Sequence, residues 1–181
     1  MKKYLLAATV AVAAMVIGTP SAQALARTDV AQKAPAPKAV PHDAAPRVVL
    51  PGERVDAGKG WTVWLTRDGK HWTGPDDYEN FRSVTDGNLD FSEPGVSHQS
   101  ESDAADAFRS GVFYGTRKAA RVELTDSAGK KTTARLLELP GRPDWGVWYA
   151  HTPSEAVTGA QRVALYDRAG KLLAELPARD F

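Results

Sequence analysis

The imidazoles of the chain stand at His42, His71, His98 and His151, and none lies three or four residues from another. That spacing supplies no helical or ribbon-type metal pair. No Gly-x-Ser-x-Gly turn marks a strained nucleophile. The one local cluster with the residue types of a Ser-His-acid relay is Ser97-His98 with Ser100, Glu101 and Asp103. It lies in an acidic stretch without the periodic pattern that would hold groups at hydrogen-bond geometry. Carboxylates are plentiful, yet nothing selects two of them as the pair that glycoside hydrolysis uses. The absence of cysteine excludes thiol chemistry and Cys-ligated zinc. The residues therefore point away from an enzyme, and a small hydrolase using His98 or the loop acids is the remaining catalytic alternative.

Oxygen donors and aromatic faces offer more. Asp86-Gly87-Asn88-Leu89-Asp90 places donors at alternate residues, followed by Ser92 and Glu93. Calcium takes roughly six to eight oxygens. An EF-hand is ruled out, because Phe91 stands where the loop needs Gly and Ser97 where it needs Glu. Two readings stay open: a non-EF calcium site on Asp86, Asn88, Asp90 and Glu93, or a solvated acidic loop. No other cofactor is implied. Among the five tryptophans, Trp64 and Trp148 are candidate binding residues. Strand alternation sets Trp64 with Thr62 and Thr66, opposite Val63 and Leu65, and sets Trp148 opposite Val147 and Tyr149. Aromatic faces on a flat strand surface stack on sugar rings or anchor a protein partner. Both are core residues instead if the opposing sheet and the acidic stretch cover them.

The elements that must carry these residues are strands. Trp61–Thr66 reads as a strand bounded by Gly60 and by the turn Arg67-Asp68-Gly69-Lys70, with His71-Trp72-Thr73 returning. Residues 75–108 lack a sustained period; they carry many Asp and Glu residues and Arg82 as the single Arg or Lys. They predict a long acidic loop, in which Ser102–Arg109 has the N-cap, first-turn acids and following Gly111 of a two-turn helix. Strands resume at Val112–Tyr114, Ala120–Thr125, Thr132–Leu139, Gly146–His151, Gln161–Tyr166 and Leu172–Leu176. An internal echo links them. Gly111-Val112-Phe113-Tyr114 resembles Gly146-Val147-Trp148-Tyr149. Arg121–Lys130 and Arg162–Lys171 share Arg, Val, Leu, Asp, Ala, Gly and Lys at matching places. Either a duplication or the reuse of one turn chemistry explains this. Short strands between Asp-x-x-Gly-Lys turns predict a mainly β, antiparallel, immunoglobulin-like sandwich of roughly seven to nine strands.

The ends bear on destination. Lys2 and Lys3 precede the apolar run Leu5–Ile17, which is shorter than the roughly 20 residues of a membrane span. Gly18, Pro20 and two overlapping Ala-x-Ala frames follow, the order of a Sec signal peptide over 1–26. Twin-Arg export, lipid attachment and a C-terminal anchor all lack their residues, so a released, extracellular chain is expected. Residues 27–46, with prolines at 35, 37, 41 and 46, predict a disordered Ala/Pro linker, and 47–181 the domain. Removing Lys2 and Lys3 from 23 basic residues leaves fewer bases than the 22 acids. No basic excess remains to neutralise nucleic acid or an anionic membrane.

The order of strand, Asp-x-x-Gly-Lys turn, strand, Leu139-Pro140-Gly141, aromatic strand and Arg162–Lys171 resembles small, uncharacterised exported proteins of high-GC Gram-positive bacteria. The likeness covers about Phe108–Phe181, and the Ala-rich leader and Ala/Pro linker agree with it. It implies a β-sandwich and export, and no activity. The expectation is a secreted, non-catalytic binding domain for cell wall or another extracellular polysaccharide. The alternative is an inhibitor or partner of a secreted protein, using Pro140–Asp144 or Thr152–Gly159.

Overall fold

The computed structural model describes residues 45–102, 106–154 and 161–178. The expected signal peptide and nearly all of the expected linker lie outside the described residues. Within them the chain is mainly β, with fourteen strands in three sheets. They are β1 (Arg47–Val48), β2 (Val55–Gly58), β3 (Trp61–Thr66), β4 (Gly69–Thr73), β5 (Glu79–Ser83), β6 (Gly95–Val96) and β7 (Gln99–Ser102). After these come β8 (Asp106–Tyr114), β9 (Arg121–Thr125), β10 (Lys131–Thr133), β11 (Arg135–Glu138), β12 (Trp145–Pro153), β13 (Arg162–Tyr166) and β14 (Leu172–Leu176). A meander sheet runs β2-β3-β4-β5, and a hairpin sheet runs β10-β9-β13-β14. The central sheet runs β1-β11-β12-β8-β6, with β7 also on β8. None closes on itself, and all pairings are antiparallel except β1 with β11.

Alternation along β12 places the central sheet between the other two. Trp145, Val147 and Tyr149 share a core with Val55, Val63, Leu65 and Trp72 of the meander sheet. Trp148 and Ala150, pointing the other way, share a second core with Val122, Leu124, Val163 and Leu165 of the hairpin sheet. A sheet covered on both faces needs apolar residues at successive positions. That accounts for the unbroken burial of Trp145–Ala150 and Ala107–Phe113.

The echo seen in the sequence is a spatial pseudo-symmetry. In β8 and β12, Val112 pairs with its counterpart Val147, Gly111 faces Trp148, and Gly146 faces Phe113. A Cβ on Gly111 would lie 2.6 Å from Trp148 Nε1, and one on Gly146 would lie 2.2 Å from Phe113 Cζ. Each glycine makes room for the other motif's ring. In β9 and β13, Glu123 likewise pairs with its counterpart Ala164. The two turns are superposable in their bonds. Asp126 Oδ1 accepts from the amides of Ala128 (3.0 Å) and Lys130 (2.8 Å). Asp167 Oδ1 accepts from Ala169 and Lys171 at 2.9 Å each.

Several expectations are corrected. The acidic segment is not one long loop, since it carries β5, β6, β7 and the start of β8. The helix expected over Ser102–Arg109 is absent: Ser102 pairs with Ala107 and Glu101 with Phe108 across a strand hairpin. Tertiary burial overrides local propensity here, as the Phe108 ring is 1% exposed and stacks on Trp61 at 4.4 Å between centroids. Thr132–Leu139 is two strands, β10 and β11, in different sheets, with the crossing at buried Ala134. Lys70 is a strand residue and not part of a turn, because β3 and β4 join through Arg67-Asp68 alone.

Candidate functional site

The outward face of the meander sheet is built by alternation on three strands. Cross-strand pairing sets Trp64 beside His71 and His71 beside Phe81. Their rings form a strip: Trp64 and His71 stack at 5.2 Å, and His71 and Phe81 meet at 4.6 Å with a tilt of 38°. The Arg54 guanidinium lies 3.7 Å from the Trp64 ring centroid, a cation–π contact. Thr66 Oγ1 is 3.2 Å from His71 Nε2, and Glu79 stands 3.3 Å from Nδ1. The strip ends in Phe81, 50% exposed, with Tyr78 just before β5 at 68%. On the outward face of the hairpin sheet the Arg121 guanidinium lies 4.1 Å from the Tyr166 ring centroid. Arg121–Glu123 (2.7 Å), Lys131–Glu123 (2.9 Å) and Arg162–Glu175 (2.5 Å) cover that face with ion pairs.

A second polar group latches the meander sheet to the central one. The β2–β3 turn passes through Gly58, Lys59 and Gly60, all at positive φ, with Lys59 at 54°. A non-glycine residue there costs on the order of 1 kcal/mol. The turn directs Lys59 Nζ onto Asp106 Oδ1 at 2.6 Å. Asp106 Oδ2 is 2.6 Å from His151 Nδ1, and His151 Nε2 is 3.0 Å from the carbonyl of Ala57. Burial opposes ionisation of Asp106, but hydrogen bonds from Lys59 and His151 outweigh it and hold the carboxyl below its ordinary range. Beside the latch opens a cleft of ≈ 390 Å³ whose lining includes Asp56, Thr132, Arg135, Tyr149 and His151.

A third group is buried between β4 and β7. Lys70 is 0% exposed. Its Nζ donates to Gln99 Oε1 at 2.8 Å and to Ser110 Oγ at 2.7 Å, and lies 3.7 Å from the Trp72 ring centroid. Trp72 Nε1 donates to Glu101 Oε1. Burial drives the Lys70 amine well below its ordinary value; Glu101 opposes the shift and Arg82 adds to it. An amine of this kind activates nucleophiles, and the nearest hydroxyl, Ser110, is itself buried at 1% exposure. Nearby, His98 stacks on Trp148 at 5.8 Å. Burial, then Arg109, then Lys70 push its imidazole down to about 4.

No family model, no curated protein and no solved structure matches the chain.

The residues singled out from the sequence fare differently. Trp148 presents no surface: it is 0% exposed because the hairpin sheet covers the face opposite Val147, and its Nε1 donates to the Ser97 carbonyl at 3.0 Å. Trp64 lies on the open face, yet Arg54 and His71 roof its ring and leave it 5% exposed. Asp86 takes the Asn88 amide at 3.0 Å, and Asp90 takes the Ser92 amide at 2.9 Å, each closing its own turn. Glu93 is exposed. Among the described residues no three His, Asp or Glu side chains converge on a metal position, so Asp86, Asp90 and Glu93 remain apart. The Ser97 hydroxyl accepts from the Val112 amide at 2.9 Å, and the His98 ring stacks on Trp148. Asp103 lies outside the described residues. Sequence reasoning missed Phe81, Asp106, His151 and Lys70. Only Lys70 left a signal: it sits two residues from Trp72, on the inward face of the returning strand.

Proposed function

We infer that the chain is an exported, non-catalytic binding domain whose contact face is the aromatic strip Trp64–His71–Phe81 with Tyr78. The ligand class is an extracellular polysaccharide, cell wall included. The contrast between the two outward faces carries this reading. Both carry ion pairs, but the meander face adds a stacked Trp–His pair that runs on to the half-exposed ring of Phe81, and Tyr78 stands exposed just before β5. Flat rings stack on the apolar faces of sugars, and Glu79 and Arg54 at the rim offer partners for hydroxyl groups. Trp64 enters the site when a ligand displaces the half-exposed Arg54 side chain.

An immunoglobulin-like sandwich is the finer architecture of this reading. Strand order supports it. Hairpins β7–β8, β9–β10, β11–β12 and β13–β14 alternate between two sheets ordered β7-β8-β12-β11 and β10-β9-β13-β14. Immunoglobulin strands A-B-E-D and C-F-G, with a C′ strand added, follow the same order. The meander sheet is then an added third layer.

A second reading, docking to another secreted protein, is favoured by a cleft of ≈ 350 Å³ lined by Pro51, Arg67, Leu139, Pro140, Pro143 and Trp145. Exposed Leu50, at 64%, adjoins Pro51 in the chain. One assay separates the two. The purified chain is pelleted with cell wall and with insoluble polysaccharides, beside Phe81→Ala, Tyr78→Ala and Trp64→Ala variants checked for folding. Retention that falls about tenfold or more on loss of a strip residue is expected, the scale of one stacking contact. Retention indifferent to all three variants, or no retention, overturns the glycan reading.

A further inference from the structure

We propose that Lys70 and Gln99 join through an intramolecular isopeptide bond that staples the meander sheet to the β7 edge of the central sheet. Two residues in step on each strand build the site: Lys70 meets Gln99, and Trp72 meets Glu101. The amine is already 2.8 Å from the carboxamide oxygen of Gln99. Among the described residues no carboxylate lies within ion-pair distance of Nζ. A fully buried, unpaired ammonium is unfavourable, and the group escapes by losing its proton. The neutral amine that results is a nucleophile held against one carbonyl group, so the reaction gains the advantage of an intramolecular encounter. Trp72 over Nζ excludes the water that would compete for the same carbon.

The step balances without a co-reactant. The Nζ lone pair attacks Cδ of Gln99, and the Nζ–Cδ bond forms. The Ser110 hydroxyl, 2.7 Å from Nζ, takes the amine proton as it passes its own to the departing nitrogen. The Cδ–Nε2 bond breaks and ammonia leaves; nothing is oxidised or reduced. The product is a neutral secondary amide whose N–H faces Ser110 Oγ, which is 2.7 Å from Nζ before reaction. A buried primary amine is replaced by a buried, hydrogen-bonded amide. The bond closes a loop between residues 29 apart in a chain with no cysteine to form a disulfide.

Intact mass of the purified full chain, measured after denaturation, tests this. Folded wild type is expected lighter than its sequence by one ammonia, and a protease digest is expected to hold a Lys70 peptide linked to a Gln99 peptide. Lys70→Arg and Gln99→Ala are expected at full sequence mass. Ser110→Ala is expected to slow bond formation at least about a hundredfold, the scale of a positioned proton carrier. Natively folded wild type at full sequence mass overturns the proposal, whether or not the variants fold. So does an ammonia loss that the digest places elsewhere, for example at Asn80 or Asn88.

Discussion

Lowering the pH is expected to destabilise the fold through His98 before most carboxylates are protonated. Its imidazole stacks on Trp148, and its Nε2 is buried without a hydrogen-bond partner. Burial above all, then Arg109 and Lys70, lowers its pKa from 6.5 to about 4. The unfolded chain therefore takes up a proton below about pH 6.5, while the folded chain stays neutral until about pH 4. Stability is lost across that window and levels off below it. A separation of roughly two to three pH units corresponds to about 3 kcal/mol. Other groups titrate in the same range, so the measurement is a difference. Urea unfolding of wild type and His98→Gln is followed from pH 7.5 to 4, and the two free energies are subtracted. The difference is expected to shift against wild type by about 3 kcal/mol, since the variant carries no imidazole to titrate. A difference flat with pH, together with an NMR titration of His98 near 6.5, would refute the reasoning.

Two further outcomes follow from the packing. Gly111→Ala places a Cβ 1.9 Å from the Ser97 carbonyl and 2.6 Å from Trp148 Nε1. We expect a loss of about 3 kcal/mol by urea unfolding, at the upper end for overpacking because the nearest atom is backbone. An unchanged midpoint would show that the central sheet yields there. Asp106→Asn weakens the contacts to Lys59 and His151 and is expected to cost about 2 kcal/mol at neutral pH. The folded carboxyl of Asp106 sits below its unfolded value. Its contribution is therefore present above the unfolded pKa and fades as pH falls through the folded one, and the gap to wild type should begin to close at about pH 4 and narrow further in stronger acid. A gap that persists in acid would assign the loss to packing.

Strands and turns were largely legible in the residues, because a two-residue period and an Asp-x-x-Gly-Lys turn are local properties. Trp61–Thr66 and Leu172–Leu176 fall where alternation and turn chemistry place them, and the strand expected at Gln161–Tyr166 starts one residue later, at Arg162. The β7 strand was illegible for a physical reason. Its inward residues Gln99 and Glu101 face a lysine and an indole N–H, so they carry none of the apolar period that marks a strand. Ser102–Arg109 read as helix, because propensity is local while the stacking of Phe108 on Trp61 joins residues far apart.

By itself, the sequence determined that the chain is β-rich, that cysteine cannot hold it together, and that two of its segments are built alike. Tertiary structure alone decided which aromatic rings remain at a surface. Trp64 and Trp148 occupy equivalent places in the alternation, each opposite an apolar face. Trp64 falls on a sheet packed on its other face alone and is roofed only by Arg54 and His71, while Trp148 lies inside a sheet covered twice, because alternation says which residues share a face and not how many faces are covered. The same holds for Lys70. Its burial beside Gln99 depends on the meeting of β4 and β7, strands of two different sheets.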